Sequence, residues 1–146
     1  MSLLKAKYSF WGFITILFLV FSFMPVIGQT NKLTEDQKII KHIEDGFNNG
    51  SIDSFSGNFA EKIYLSITTA KPMYYSSNQA YWVLKDFIII HTPAGFKFDY
   101  STSESDNSFA SGTMKYIKNG IKGKVTIFIT LKKEKNQWKI THITIN

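Results

Sequence analysis

From residue 95 to residue 146 apolar and polar side chains alternate with a period of two, and no other stretch constrains the fold of this chain as strongly. Successive side chains of a strand point to opposite faces, so a sustained period of two predicts a series of strands with one buried face each. Phe96, Phe98 and Tyr100 are expected to share a face, followed by a polar loop of Ser, Asp and Asn and a strand over residues 108–118. Asn119-Gly120 then lies between two strand-like runs, where a tight primed turn needs positive φ at both positions. Val125, Ile127, Ile129 and Leu131 continue as the next strand, residues 134–137 turn, and residues 138–145 form the last strand. On that strand the period places Trp138, Ile140, His142 and Thr144 on one face.

Earlier in the chain the period is helical. Over residues 31–49, Ile39, Ile40, Ile43 and Phe47 fall on one face, with Thr34 as cap, Gln37 reaching back, and Asn49-Gly50 as the stop. A second short turn over residues 52–59 brings Phe55 and Phe59 over the core. Residues 62–67 alternate, with Ile63, Leu65 and Ile67 on one side and Tyr64 and Ser66 on the other. Residues 68–76 read as loop or short strand around Pro72. A third helix, capped by Ser76 or Ser77 with Gln79 following, runs to about His91 and buries Ala80, Tyr81, Leu84, Phe87, Ile88 and His91 before Pro93 ends it.

The N-terminal segment is of another kind. Lys5 and Lys7 precede an apolar run over residues 11–23, and Val26-Ile27-Gly28 offers small residues at a cleavage site. This predicts a signal peptide over residues 1–28, a single mature domain over residues 29–146, a secreted or periplasmic location, and no membrane attachment after cleavage. The rival reading is an uncleaved anchor over residues 10–27, a run that Pro25 interrupts. Cysteine is absent, which excludes a lipid-anchored lipoprotein, disulfides, thiolate metal sites and cysteine nucleophiles.

All seventeen basic residues are lysine. Arginine is the planar fork that grips guanine and phosphate bidentately, so its absence argues against specific nucleic-acid readout. Lys115, Lys118, Lys122 and Lys124 read as a solvated sheet edge.

Helices followed by a long meander form an α+β pattern, N-terminal helices packed on a strongly curved antiparallel sheet. The order resembles the nuclear transport factor-like (cystatin-like) cone. Phe47-Asn48-Asn49-Gly50-Ser51-Ile52-Asp53-Ser54-Phe55 leading to Phe59-Ala60-Glu61 carries the resemblance, as does Tyr75-Ser76-Ser77-Asn78-Gln79-Ala80 leading to Leu84-Lys85-Asp86-Phe87-Ile88. Gly112-Thr113-Met114, the run from Phe128 through Lys133, and Gln137-Trp138-Lys139-Ile140 are similar to the closing hairpin of a small uncharacterised secreted bacterial branch, a domain of unknown function. The resemblance implies the fold. It selects no activity, because that superfamily includes isomerases, dehydratases, binders and interaction modules.

No metal-ligand spacing joins His42, His91 and His142, and neither metal nor cofactor is implied. His91 is expected to cap its helix, and Asp53, Asp86 and Asp99 each have an ordinary structural place. Aromatic residues with polar tips remain as pocket formers. The candidate ligand-binding residues are Tyr64, Tyr81, Trp82, Tyr100, Met114, Trp138 and His142. The leading functional reading is a non-enzymatic module that binds a small apolar or amphipathic ligand, or a protein partner, in the mouth of the cone. The alternative is an isomerase- or dehydratase-like proton-transfer enzyme with His142 or Asp86 as base and Tyr100 as donor. A third reading is a structural module that forms a homodimer through the open sheet face.

Overall fold

Helix α1 (Glu35–Asn49) begins where Thr34 leaves extended backbone and ends where Gly50 adopts φ 66°. The Thr34 N–H donates to the Gln37 side-chain oxygen at 3.0 Å. Glu35 and Asp36 occupy the first turn, where the unpaired N–H groups favour negative charge. The computed structural model describes residues 32–68 and 70–146, of which Leu33–Asn146 form one compact unit. The expected signal peptide over residues 1–28 lies outside the described residues.

Helix α2 (Asp53–Ser56) is shorter than the expected turn over residues 52–59, because Phe59 already belongs to strand β1 (Phe59–Ile67). Residues 70–76 form strand β2 (Ala70–Ser76). Helix α3 (Ser77–Ile90) starts at a reciprocal cap, in which the Gln79 N–H donates to Ser76 Oγ and the Ser76 N–H donates to Gln79 Oε1. His91 ends it as expected. Its N–H donates to the Phe87 carbonyl at 2.8 Å, and its ring stacks on Phe87 with centroids 4.5 Å apart. Strands β3 (Thr92–Glu104), β4 (Asn107–Lys118), β5 (Ile121–Glu134) and β6 (Gln137–Ile145) complete the unit.

The six strands lie in the order β2-β1-β6-β5-β4-β3 in a curved, open sheet with the helices packed on one face. The meander is antiparallel throughout, but β1 pairs with β6 in parallel, so the sheet is mixed rather than wholly antiparallel. No tight turn joins these two strands, and only a tight turn would have forced the antiparallel arrangement. Helix α1 packs mainly on β3, and α3 on β1 and β2. Rows such as Leu65, Ile143, Ile129 and Ala110 face the helices, where Phe47 meets Phe55 at 5.5 Å and Phe96 at 5.3 Å between ring centroids.

Two of the sheet's register shifts, both β-bulges, change which of the expected side chains share a face. Phe98 pairs with Gly112 and Tyr100 with Ser111, so Asp99 is the extra residue and Tyr100 turns to the outer face, away from Phe96 and Phe98. On β6, Leu131 pairs with Ile140 and Thr130 with His142, so Thr141 is extra. Trp138 and Ile140 thus lie on the helix side, and His142 and Thr144 on the outer side. Both corrections follow from one inserted residue, which reverses the alternation beyond it. The lysine group is corrected too. Strands β4 and β5 are internal, and Lys115 sits directly opposite Lys124 on the outer face.

The actual edge strand on that side, β3, is covered by α1. Asn48 Nδ2 donates to the Phe96 carbonyl and Asn48 Oδ1 accepts from the Phe96 N–H, each at 2.7 Å, while Glu44 Oε2 accepts from the Phe98 N–H at 2.9 Å. These side chains take the place of a seventh strand and occupy groups that would otherwise pair with another chain.

Asp36 fastens the other end of α1. Its side chain is buried, and Thr34 Oγ1 donates to Oδ1 at 2.5 Å. Burial alone would raise its pKa, but hydrogen bonding, led by the Thr34 hydroxyl, holds it below the ordinary aspartate value, with Oδ2 left without a direct partner among the described residues. The depressed value means that this stabilisation is complete above the unfolded-state pKa and is lost as pH falls through the folded one. Asp36→Asn is expected to lower stability at neutral pH by about 1–3 kcal/mol. It should also flatten the acid limb of the parent's stability curve, as read by urea unfolding between neutral pH and the carboxylate range.

Candidate functional site

The β5–β6 hairpin turns at Lys135 and Asn136, both at positive φ (48° and 65°), the conformation that Asn119 and Gly120 use in the β4–β5 hairpin. This turn places Trp138 on the helix side directly across from Lys133. The Ile140 N–H donates to the Asn58 carbonyl at 2.8 Å, which ties the segment between α2 and β1 to β6. Helix α1 passes opposite, presenting Lys38, Ile39 and His42. These three segments enclose a groove of about 620 Å³ at one end of the unit, lined also by Glu35, Gln137 and Lys139.

One wall of the groove is apolar, made by half-buried Trp138 and buried Ile39, and the rest is polar. Lys38 is held by Glu35 at 2.6 Å, an exposed pair one helical turn apart that contributes little to stability. Lys133 and Lys139 have no ion-pair partner among the described residues. The site combines a flat apolar surface, lysine ammonium groups and amide side chains, which suits binding.

The structure separates the seven residues expected from the sequence. Trp138 lies in the groove. Met114 is fully buried in the core and faces no opening. Tyr81 and Trp82 sit together on α3 at 5.2 Å, where the Tyr81 hydroxyl donates to Asp53 Oδ1 at 3.0 Å and Lys85 lies over the Trp82 ring. Tyr64 and His142 do meet, at 5.7 Å between ring centroids, but on the outer sheet face, where Tyr74 joins them. His142 Nδ1 is 3.0 Å from Thr141 Oγ1. Tyr100 is also on the outer face, three strands away on β3, a separation of roughly 14 Å at ordinary strand spacing. Asp86 is exposed on α3. The expected base and donor therefore do not converge on one substrate, which overturns the pairing of His142 or Asp86 with Tyr100.

Lys38, His42, Asn58 and Lys133 were not expected at a site. They come from three segments far apart in sequence, and no local pattern marks their meeting. The signal that was available is the concentration of Lys132, Lys133, Lys135 and Lys139 around one turn. Among the described residues, no group of three or more His, Asp or Glu is placed to hold a metal ion, and no helix is long and apolar enough to cross a membrane.

Comparison with solved structures supports the cone. A protein from Bacteroides uniformis described as a DUF4783 family member superposes with a TM-score of 0.66 at 17% identity, over 73% of this chain and 94% of that one. A DUF4783 family protein from Bacteroides ovatus gives 0.64 at 22% identity, over 71% and 90%. An NTF-2 like protein of unknown function from Shewanella oneidensis gives 0.56 at 13% identity, over 76% and 95%. A search of curated protein sequences found no match. These likenesses establish the nuclear transport factor-like fold that the order of elements implied. The family profile described as a domain of unknown function (DUF4783) matches residues 40–146, and the chain belongs to that family.

Proposed function

We propose that this protein is an exported, non-enzymatic binding module, and that it takes its ligand in the groove beside Trp138 rather than inside the cone. One observation carries the reading. The space between helices and sheet is filled by the domain's own side chains, with Phe47, Phe55, Phe87 and Met114 each at most 1% exposed. A ligand inside would have to displace buried residues of a kind worth about 2–5 kcal/mol each. The groove is preformed and needs no such rearrangement. Lys5, Lys7 and the apolar run over residues 11–23 support export.

Native mass spectrometry of protein expressed from the full chain tests both parts. The expected species lacks residues 1–28 and carries a stoichiometric extra mass, which is reduced in Trp138→Phe. A clean unliganded mass at the full-length value would count against the reading. So would a turnover that survives purification and is abolished by His142→Ala.

A further inference from the structure

We propose that the groove is built for a small anionic amphiphile, a ring or short hydrocarbon body that ends in one carboxylate, sulfonate or phosphate group. The inference rests on the reading of the groove as the binding site and adds the chemistry of what fills it. Its volume of about 620 Å³ falls within the range of small-molecule sites, roughly 300–1,000 Å³. Trp138 and Ile39 supply the apolar wall, and a flat indole face suits a ring or an alkyl body.

The charge is on the hairpin side. Lys132, Lys133, Lys135 and Lys139 surround a single acidic residue, Glu134, within one short hairpin. Among the described residues Lys133 and Lys139, which line the groove, have no ion-pair partner, whereas Lys38 on the facing helix is paired with Glu35. The positive potential is therefore one-sided, and it places a single anionic head against the hairpin with the body along Trp138. Lysine, a compact point charge, suits such a head without the bidentate geometry that arginine imposes.

Two fluorescent probes of similar body separate the possibilities: anilinonaphthalenesulfonate, which is anionic, and N-phenylnaphthylamine, which is neutral. Titrated into protein purified after expression of the full chain, the sulfonate is expected to bind once per chain, about tenfold tighter than the neutral probe. Added salt should weaken only the sulfonate. Lys133→Gln combined with Lys139→Gln should remove the preference while leaving the neutral probe unchanged, and Trp138→Phe should weaken both. Circular dichroism checks that each variant remains folded. Equal affinity for the two probes, or a preference untouched by the lysine variants, overturns the anionic inference and leaves the groove as the site. Binding of neither probe, or binding reduced by Phe109→Ala on the outer face and not by Trp138→Phe, overturns the groove reading itself.

Discussion

Adding one methyl group at Gly112 is expected to cost the domain about 3 kcal/mol. Gly112 lies in the middle of β4 on the helix side, opposite Phe98 and next to the Asp99 bulge. A Cβ there would overlap the Lys97 carbonyl oxygen and come within 2.7 Å of Phe98 Cα. Both are backbone atoms of the neighbouring strand, so no side chain can swing away, and β3 must separate from β4 where the bulge begins. At about 4 °C per kcal/mol for a domain of this size, Gly112→Ala should melt roughly 12 °C below the parent. Gly57→Ala is the control. Its Cβ meets nothing within 4 Å and its φ is an ordinary −62°, so its melting temperature should be unchanged or slightly raised. A Gly112→Ala protein that melts with the parent would mean that β3 is not held in this register.

Phe47→Ala is expected to cost about 3–5 kcal/mol, a large share of the roughly 5–15 kcal/mol that stabilises an ordinary domain. Phe47 is fully buried and joins three parts of the core: α1 that carries it, Phe55 of α2, and Phe96 of β3. Its loss removes two aromatic pairs and leaves a cavity between parts that touch one another through it. Phe109 is the comparison, because it is 40% exposed on the outer sheet face and its truncation leaves no enclosed void. Urea unfolding of the two alanine variants should therefore give sharply different midpoints. Similar midpoints would mean that the aromatic cluster is not the centre of the core.

The features legible in the sequence are those encoded by neighbours in the chain. The Thr34 and Ser76 helix starts, the Gly50 stop, the Asn119-Gly120 turn and the apolar stripe of α1 each depend on a few consecutive residues, and each stands where expected. The bulges at Asp99 and Thr141 do not have that property. An inserted residue has no fixed composition, and alternation can be read across it as though unbroken. Unbroken alternation accordingly puts Tyr100 beside Phe98 and His142 beside Ile140, whereas the bulges turn both to the outer face and apart from one another. The parallel pairing of β1 with β6 is illegible for a related reason, since nothing close in sequence specifies which distant strand fills the gap. Trp138 stands on its expected face because it precedes the bulge. The ammonium groups around it were visible only as composition until the hairpin and α1 brought them to one groove.

That parallel pairing also sets the order in which the sheet can be completed. Strand β1 precedes its inner neighbour β6 by most of the length of the unit, so its pairing on that side waits until residues 137–145 are available. Only β2, across the opposite side, can join it early. The entropy of closing so long a loop grows slowly with length, but the search for such a distant partner is what makes high-contact-order folds slow. A chain emerging N-terminus first would therefore carry β1 with β2 alone beside it until β6 is made, whereas α1 finds β3 earlier. Completion of the sheet is then a late event, set by the topology rather than by any local signal.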